Sequence, residues 1–444
     1  MAAAGRDTVW HPFTQMREWH ASQAPLIERG EGVWLVDADG RRYIDGVSSL
    51  WCNVHGHRHP TIDAAVRAQL DRVAHTTMLG LRQPLAEQLA RRLVEIAPGA
   101  GPGAPGALRR VFYSDSGSTS VEVALKMAFQ YWQQGEATER RRTRFVCLEQ
   151  AYHGDTVGSV SVGGIDLFHE MYRPMLFDSI KVPPGDTEAL ARTLGECGSD
   201  VAAVIVEPLV QGAAGMQLQP RGYVRSVREL CDSCGTLLIC DEVATGFGRT
   251  GTMFACEQED VVPDFLCVAK GLTGGYLPLA ATLTTERVFQ GFLGRYDEFR
   301  SFFHGHTYTG NPLACAAALA SLDVFEQERT LERLQSKIEL LDQLLHERIA
   351  PLAHVAEVRQ RGFMCGVELM AAPRRAEPFG PAANVGHRVT LEARARGAIV
   401  RPLGDVIVLM PPLSIDEPTL ETLVDITASS IVAATERESL PRAA

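Results

Sequence analysis

The chain's 444 residues exceed what one small hydrophobic core organises, and with 45% hydrophobic and 22% charged residues a globular protein of two domains is expected. A net charge of −11 argues against a nucleic-acid or anionic-membrane surface, and no apolar stretch approaches the roughly 20 residues of a membrane-spanning helix. Residues 1–7 lack the apolar core of a secretion signal, and ten scattered cysteines fit reduced thiols, so a cytoplasmic protein is expected.

Gly32–Val36 alternates apolar and polar residues into Asp37-Ala38-Asp39-Gly40, and Arg41–Asp45 follows, which is a hairpin signal. Residues 61–97 are periodic at three and four, with Val66, Leu70 and Val73, then Leu85, Leu89, Leu93 and Ile96, and predict helix. Pro98–Gly106 is a surface loop by composition. Beyond it strands and helices alternate. The predicted strands are Arg110–Tyr113, Arg144–Leu148, Ala202–Val206, Leu237–Cys240, Phe265–Val268 and Leu279–Leu283, with helices over 119–134 and 222–234. That order predicts an α/β fold with a mostly parallel sheet covered on both faces. A small-residue helix follows at Leu313–Leu322, and Leu331, Leu334, Ile338, Leu341 and Leu345 mark a long helix beyond it. Phe363–Leu369 and Val406–Met410 read as strands around a helix near 382–396, with a last helix at about 417–436. The expected division is a large domain over 61–325 and a smaller α+β domain over 326–444, with the 1–60 segment packing on the latter.

The apolar run Phe265–Ala269 ends at Lys270, where a lone desolvated ammonium is costly or shifts its pKa. Leu237–Cys240 ends in Asp241-Glu242, so an acid and a lysine fall at one carboxyl edge of the sheet. A lysine made nucleophilic there suits a Schiff base, and the acid suits a protonated pyridine nitrogen, which points to a pyridoxal-phosphate enzyme. The structural alternatives are a surface lysine in a loop and a helix or turn cap.

The loop Tyr113–Thr119 follows a strand and opens a helix, so Gly117 and Ser118 suit a phosphate, although a plain serine N-cap has the same appearance. Tyr152-His153-Gly154-Asp155 offers a ring to stack on a flat cofactor, with Asp155 to orient it, or else a turn with a packed tyrosine. Glu207 adds a third carboxylate to the rim or serves a salt bridge. In the polar loop Gly305–Pro312, Thr307 is suited to donate to a phosphate, and an ordinary loop is the alternative. His55, His57 and His59, with His304 and His306, are a weak metal pattern, and Cys231–Cys234 lacks a second pair. No metal is expected.

These residues belong to a longer pattern. Leu238-Ile-Cys-Asp-Glu-Val-Ala-Thr-Gly-Phe-Gly-Arg-Thr-Gly251, with Pro263-Asp264 and Val268-Ala-Lys-Gly-Leu272, resembles the signature of class III aminotransferases, and the likeness runs from about Trp10 to about Pro412. It implies the fold-type I architecture of pyridoxal-phosphate-dependent transferases and a homodimer. Trp10–Thr14, Asp45–Gly56, Asp115–Ser118, Ala128–Trp132 and Tyr152–Thr156 are similar to the branch that aminates 8-amino-7-oxononanoate with S-adenosylmethionine in biotin biosynthesis. The resemblance implies that Lys270 holds the cofactor and shuttles the proton, while Asp241 keeps the pyridine nitrogen charged and Tyr152 lies against the ring. Gly117 and Ser118 would bind the phosphate, completed by the partner subunit's His306 and Thr307. Phe13, Trp51, Tyr152, Gly305 and Arg401 would line the substrate pocket, with Arg401 suited to a carboxylate.

Two positions depart from the family pattern. Phe13 stands where the family has tyrosine, removing a hydroxyl near the substrate and leaving lysine beside S-adenosylmethionine as amino donor. His306 stands where the family has proline. The nearest alternative is another class III aminotransferase acting on a diamine or ω-amino acid. A metal-dependent hydrolase built on His55, His57 and His59 is the alternative of another class.

Overall fold

The computed structural model describes residues 8–21, 24–101 and 106–436. The expectation read from residues 1–7 and the centre of the 98–106 loop, residues 102–105, lie outside the described residues. Seven strands form the central sheet in the order Leu108–Ser114, Ala280–Thr285, Phe265–Val268, Leu237–Asp241, Val201–Val206, Arg144–Leu148 and Ile180–Val182. The last five are mutually parallel, while Ala280–Thr285 runs antiparallel to both its neighbours. The sequence Val-Ala-Ala-Val-Ile-Val of 201–206 is buried at every position, as a strand covered on both faces requires. Ile180–Val182 was not predicted, because three residues are too few to show a period.

The periodic stretch 61–97 is two helices, Pro60–Leu70 and Pro84–Ile96, each with proline in its first turn, where the missing N–H has no helical partner to lose. The helix after the polar loop is longer than predicted, Pro312–Gln327, with the Asn311 side chain accepting from the Ala314 amide at 3.0 Å. The next, Thr330–Leu344, passes into a π turn at Leu345–Ile349. Among the described residues no helix is long and apolar enough to cross a membrane.

A second sheet is antiparallel, in the order Val355–Arg361, Met364–Leu369, Val406–Leu409 and Arg401–Leu403. Arg401 opens this last strand, and Gly404, at φ +60°, supplies the tight turn to Val406. The predicted hairpin is Trp34–Asp37 with Arg42–Asp45, flanked by Ile27–Glu31. Ala398–Ile399 pairs in parallel with Arg42–Asp45, so residues near the two ends of the chain share one sheet.

The acid pair that ends Leu237–Asp241 divides. Asp241 lines the cavity described below, while Glu242 is buried among donors of its own chain. Its Oε2 accepts from Thr245 Oγ1 at 2.7 Å and from the Ala255 amide at 2.9 Å, and its Oε1 accepts from the Cys256 amide at 2.8 Å. Burial pushes this carboxyl up, and the three donors hold it down. Glu242→Ala would strand two buried amides and a hydroxyl, at about 1–3 kcal/mol for each group left unsatisfied. The denaturant midpoint should therefore fall by the equivalent of about 3 kcal/mol or more, and an unchanged midpoint would show that these amides find other acceptors.

Candidate active site

A cavity of about 690 Å³ opens at the carboxyl edge of the parallel strands. Its walls include Trp51, Gly117, Ser118, Tyr152, Glu207, Asp241 and Lys270. Residues far apart in the chain meet there because the parallel strands all end at the same rim.

Lys270 opens a short turn, Lys270–Thr273, in the left-handed region at φ +41°, an uncommon conformation for a residue with a side chain. The next residue must be glycine, since a Cβ on Gly271 would come within 2.9 Å of Phe247 Cβ. Lys270 Nζ stands 5.1 Å from the centre of the Trp51 ring. Desolvation lowers the pKa of the amine, against the opposing pull of Asp241 and Glu207.

Both of those carboxylates are engaged elsewhere. Asp241 Oδ2 lies 2.7 Å from His153 Nδ1, and its Oδ1 accepts from the Val243 amide at 3.0 Å. Glu207 accepts from the amides of Tyr152 and Gly212, each at 3.0 Å, so it braces the rim through backbone donors instead of an arginine salt bridge. Burial pushes its carboxyl up to about 7. The Tyr152 hydroxyl donates to Asp155 Oδ2 at 2.8 Å, the orienting contact the sequence offered, and burial raises the phenol's pKa.

At the start of the Gly117–Gln133 helix the serine loop is an N-cap that also borders the cavity. Ser116 is the N-cap, exchanging bonds with Thr119. Gly117 and Ser118 line the cavity, and first-turn amides have no acceptor within their helix. The Ser118 hydroxyl is already committed, accepting from the Thr156 amide at 3.0 Å and lying 2.8 Å from Thr156 Oγ1, which itself donates to Glu122. An anion here would therefore meet the amides and not that hydroxyl. Gly117 has no room for a Cβ, which would approach Val243 Cγ1 to 2.5 Å.

The remaining expected residues lie outside the cavity lining. Phe13 is 62% exposed, its ring 5.5 Å from that of Phe168, which in turn stands 6.4 Å from Tyr152. Arg401 is half-buried, acts electrostatically on Tyr152, and has no ion-pair partner among the described residues. Gly305 and Thr307 are exposed, while His306 Nδ1 is 3.8 Å from Asp115 Oδ2 on the cavity wall. The histidines of the metal-like pattern have separate partners: His55 with Ser321, His57 with Asp45 and His59 with Glu328.

The class III aminotransferase family matches residues 16–431. The chain belongs to that family. It is 59% identical over 445 residues to the adenosylmethionine-8-amino-7-oxononanoate aminotransferase of Nitratidesulfovibrio vulgaris, covering 96% of this chain and 81% of that one. The crystal structure of the enzyme of the same name from Methanocaldococcus jannaschii superposes with a TM-score of 0.92 at 43% identity, covering 96% of this chain and 97% of that one. An amine transaminase from an uncultivated Pseudomonas species, solved in its pyridoxal-phosphate-bound form, gives 0.86 at 38% identity, with 97% and 98% covered.

His153 is the rim residue the sequence did not single out. It stands inside the tetrapeptide noted above, but nothing local ties it to Asp241, 88 residues further on. Thr156 was missed for the same reason, its contacts with Ser118 spanning 38 residues.

A lysine with a depressed pKa sheds its proton at lower pH, so its nucleophilic form is present nearer neutrality and is lost as pH falls through that depressed value. In the cofactor-free chain, borohydride trapping of Lys270 with pyridine-4-carboxaldehyde should show a midpoint below the ordinary lysine range. Asp241→Asn removes a charge that raises this pKa and should move the midpoint lower still. A midpoint at the ordinary lysine value in the parent chain would remove the electrostatic argument.

Proposed function

We propose that this class III aminotransferase moves an amino group from S-adenosylmethionine to 8-amino-7-oxononanoate, giving 7,8-diaminononanoate for biotin synthesis, with pyridoxal phosphate as cofactor. The observation that carries the chemistry is the meeting of an unpaired Lys270, the Asp241–His153 pair and the first-turn amides of Gly117 and Ser118 in one cavity. The substrates follow from the relatives that bear this activity's name.

The residues fit the cofactor. An amine without a hydrogen-bond partner among the described residues, a buried carboxylate held by a histidine, and a helix start closed to any side chain at Gly117 correspond to its aldehyde, ring nitrogen and phosphate. Bound there, pyridoxal phosphate supplies an electrophilic carbonyl and a ring that accepts an electron pair. Lys270 would hold the cofactor through its amine and is placed to carry the proton from the donor's α-carbon. Asp241 would keep the ring nitrogen protonated, and its bond to His153 holds the carboxylate in place. Tyr152 would lie against the ring, its hydroxyl held by Asp155. Arg401 takes the acceptor's carboxylate, and Trp51 walls the pocket. The donor gives up its nitrogen and departs as the 2-oxo acid, and the acceptor ketone exchanges its carbonyl oxygen for that nitrogen in a second half-reaction, so one site serves both substrates in turn.

The working unit in this reading is a homodimer. The loop ahead of Pro312 exposes Tyr296, Phe299, Phe303 and Tyr308, and Gly305 and Thr307 contribute nothing to their own chain's cavity, which suits residues that complete a partner's phosphate site. All ten cysteines are free, which suits the cytoplasm. Lysine as donor is the second reading, favoured by the missing hydroxyl at Phe13.

With 8-amino-7-oxononanoate as acceptor, turnover is expected with S-adenosylmethionine, and turnover with putrescine alone would overturn the proposal. Lys270→Ala should be inactive. Arg401→Met should raise the acceptor KM roughly 10- to 100-fold, the range of one charge-assisted bond of about 1.5–3 kcal/mol, with a smaller change in kcat.

A further inference from the structure

The segment that carries Trp51 to Lys270 holds an unusual backbone. Ser48, Ser49 and Trp51 have φ of +50°, +62° and +65°, three residues with side chains in the left-handed region within four positions. Such a conformation persists only where its surroundings over-determine it. Two carbonyl anchors secure its flanks: Ser48 Oγ donates to the Met410 carbonyl at 2.7 Å, and Arg249 donates to the carbonyls of Asn53 and Pro411.

The centre of the segment is held by one carboxylate. Asp45 is fully buried at the end of the hairpin strand Arg42–Asp45. Its Oδ1 accepts from the Ser49 amide at 2.7 Å, and its Oδ2 accepts from Ser49 Oγ at 2.9 Å. His57 Nε2 lies 2.9 Å from the same Oδ2, and His57 is itself fastened to the hairpin by paired backbone bonds with Gly32. Gly30 leaves the space its imidazole fills, because a Cβ there would meet His57 Cγ at 2.7 Å. On the other side the Trp51 ring has room because Gly212 lacks a Cβ, which would come within 3.2 Å of the indole.

We propose that Asp45, oriented by His57, is a positioning residue that holds the Ser48–Trp51 turn so that the Trp51 indole faces Lys270 across the cavity. It touches neither substrate nor cofactor and acts through Ser49. The effect on substrate rests on the aminotransferase reading above, whereas the effect on Trp51 does not.

The test uses the full chain loaded with pyridoxal phosphate and labelled with 5-fluorotryptophan, which places one fluorine on each of five tryptophans. The Trp51 resonance is assigned with Trp51→Phe. In Asp45→Asn that resonance should shift or broaden while the other four stay in place, and the acceptor KM should rise about tenfold with cofactor occupancy unchanged. His57→Gln, which retains a donor toward Asp45, should stay closer to the parent than His57→Leu. Should Asp45→Asn fail to fold, Ser49→Ala and His57→Leu carry the same readout with smaller displacements. A Trp51 resonance that does not move in a folded variant overturns the proposal, as does displacement of all five together. A parent chain inert toward both substrates, with Trp51 still moving in Asp45→Asn, would instead sink the reaction reading and leave this one standing.

Discussion

Lys270 carries its amine into a space short of water, and the two carboxylates acting on it are engaged elsewhere, Asp241 with His153 and Glu207 with two backbone amides. A lysine that formed a direct ion pair with either acid would be held charged and inert. Here the acids supply a field without a contact, and desolvation outweighs that field in setting the direction of the pKa. The amine is left available for bond formation. This balance depends on each acid having its own donors, so His153 and the amides of Tyr152, Gly212 and Val243 belong to the chemistry as much as the lysine does.

The sheet makes that arrangement possible. Parallel strands all end at one rim, so residues at 207, 241 and 270 come together without any long-range turn designed for the purpose. The one antiparallel strand, Ala280–Thr285, lies beyond Phe265–Val268 and leaves the rim intact. Opposing demands on neighbouring positions are met by alternation along the strand: Asp241 reaches the cavity, and Glu242 turns away to cap the 255–256 amides.

How much of this was legible in the sequence follows from range. Apolar runs with consistent period revealed six of the seven central strands, and Lys270 and Asp241 were visible as charges at the ends of buried runs. His153 could not be assigned, because its meaning lies in a contact across two strands. The strand Ile180–Val182 and the pairing of Ala398–Ile399 with the hairpin are too short to carry a pattern. Arg401–Leu403 is likewise too short to show a period, and the turn at Gly404, not an apolar run, defines that hairpin. Of the serine loop's two readings the N-cap falls to Ser116, and Gly117 and Ser118 line the cavity.

Among the described residues the unspent groups around the cavity are mostly donors, with the buried His153 Nε2 also left without a partner. Among the described residues Lys270 has no hydrogen-bond partner, the buried Trp51 indole N–H no acceptor, and the half-buried guanidinium of Arg401 beside Tyr152 no counter-ion. The buried acceptors Asp241 and Glu207, by contrast, each already accept bonds. A site left in that state is matched by ligands rich in anionic oxygen, a phosphate at one end and a carboxylate at the other, with a carbonyl between them for the amine. Desolvating donors in this way is costly unless such a ligand arrives.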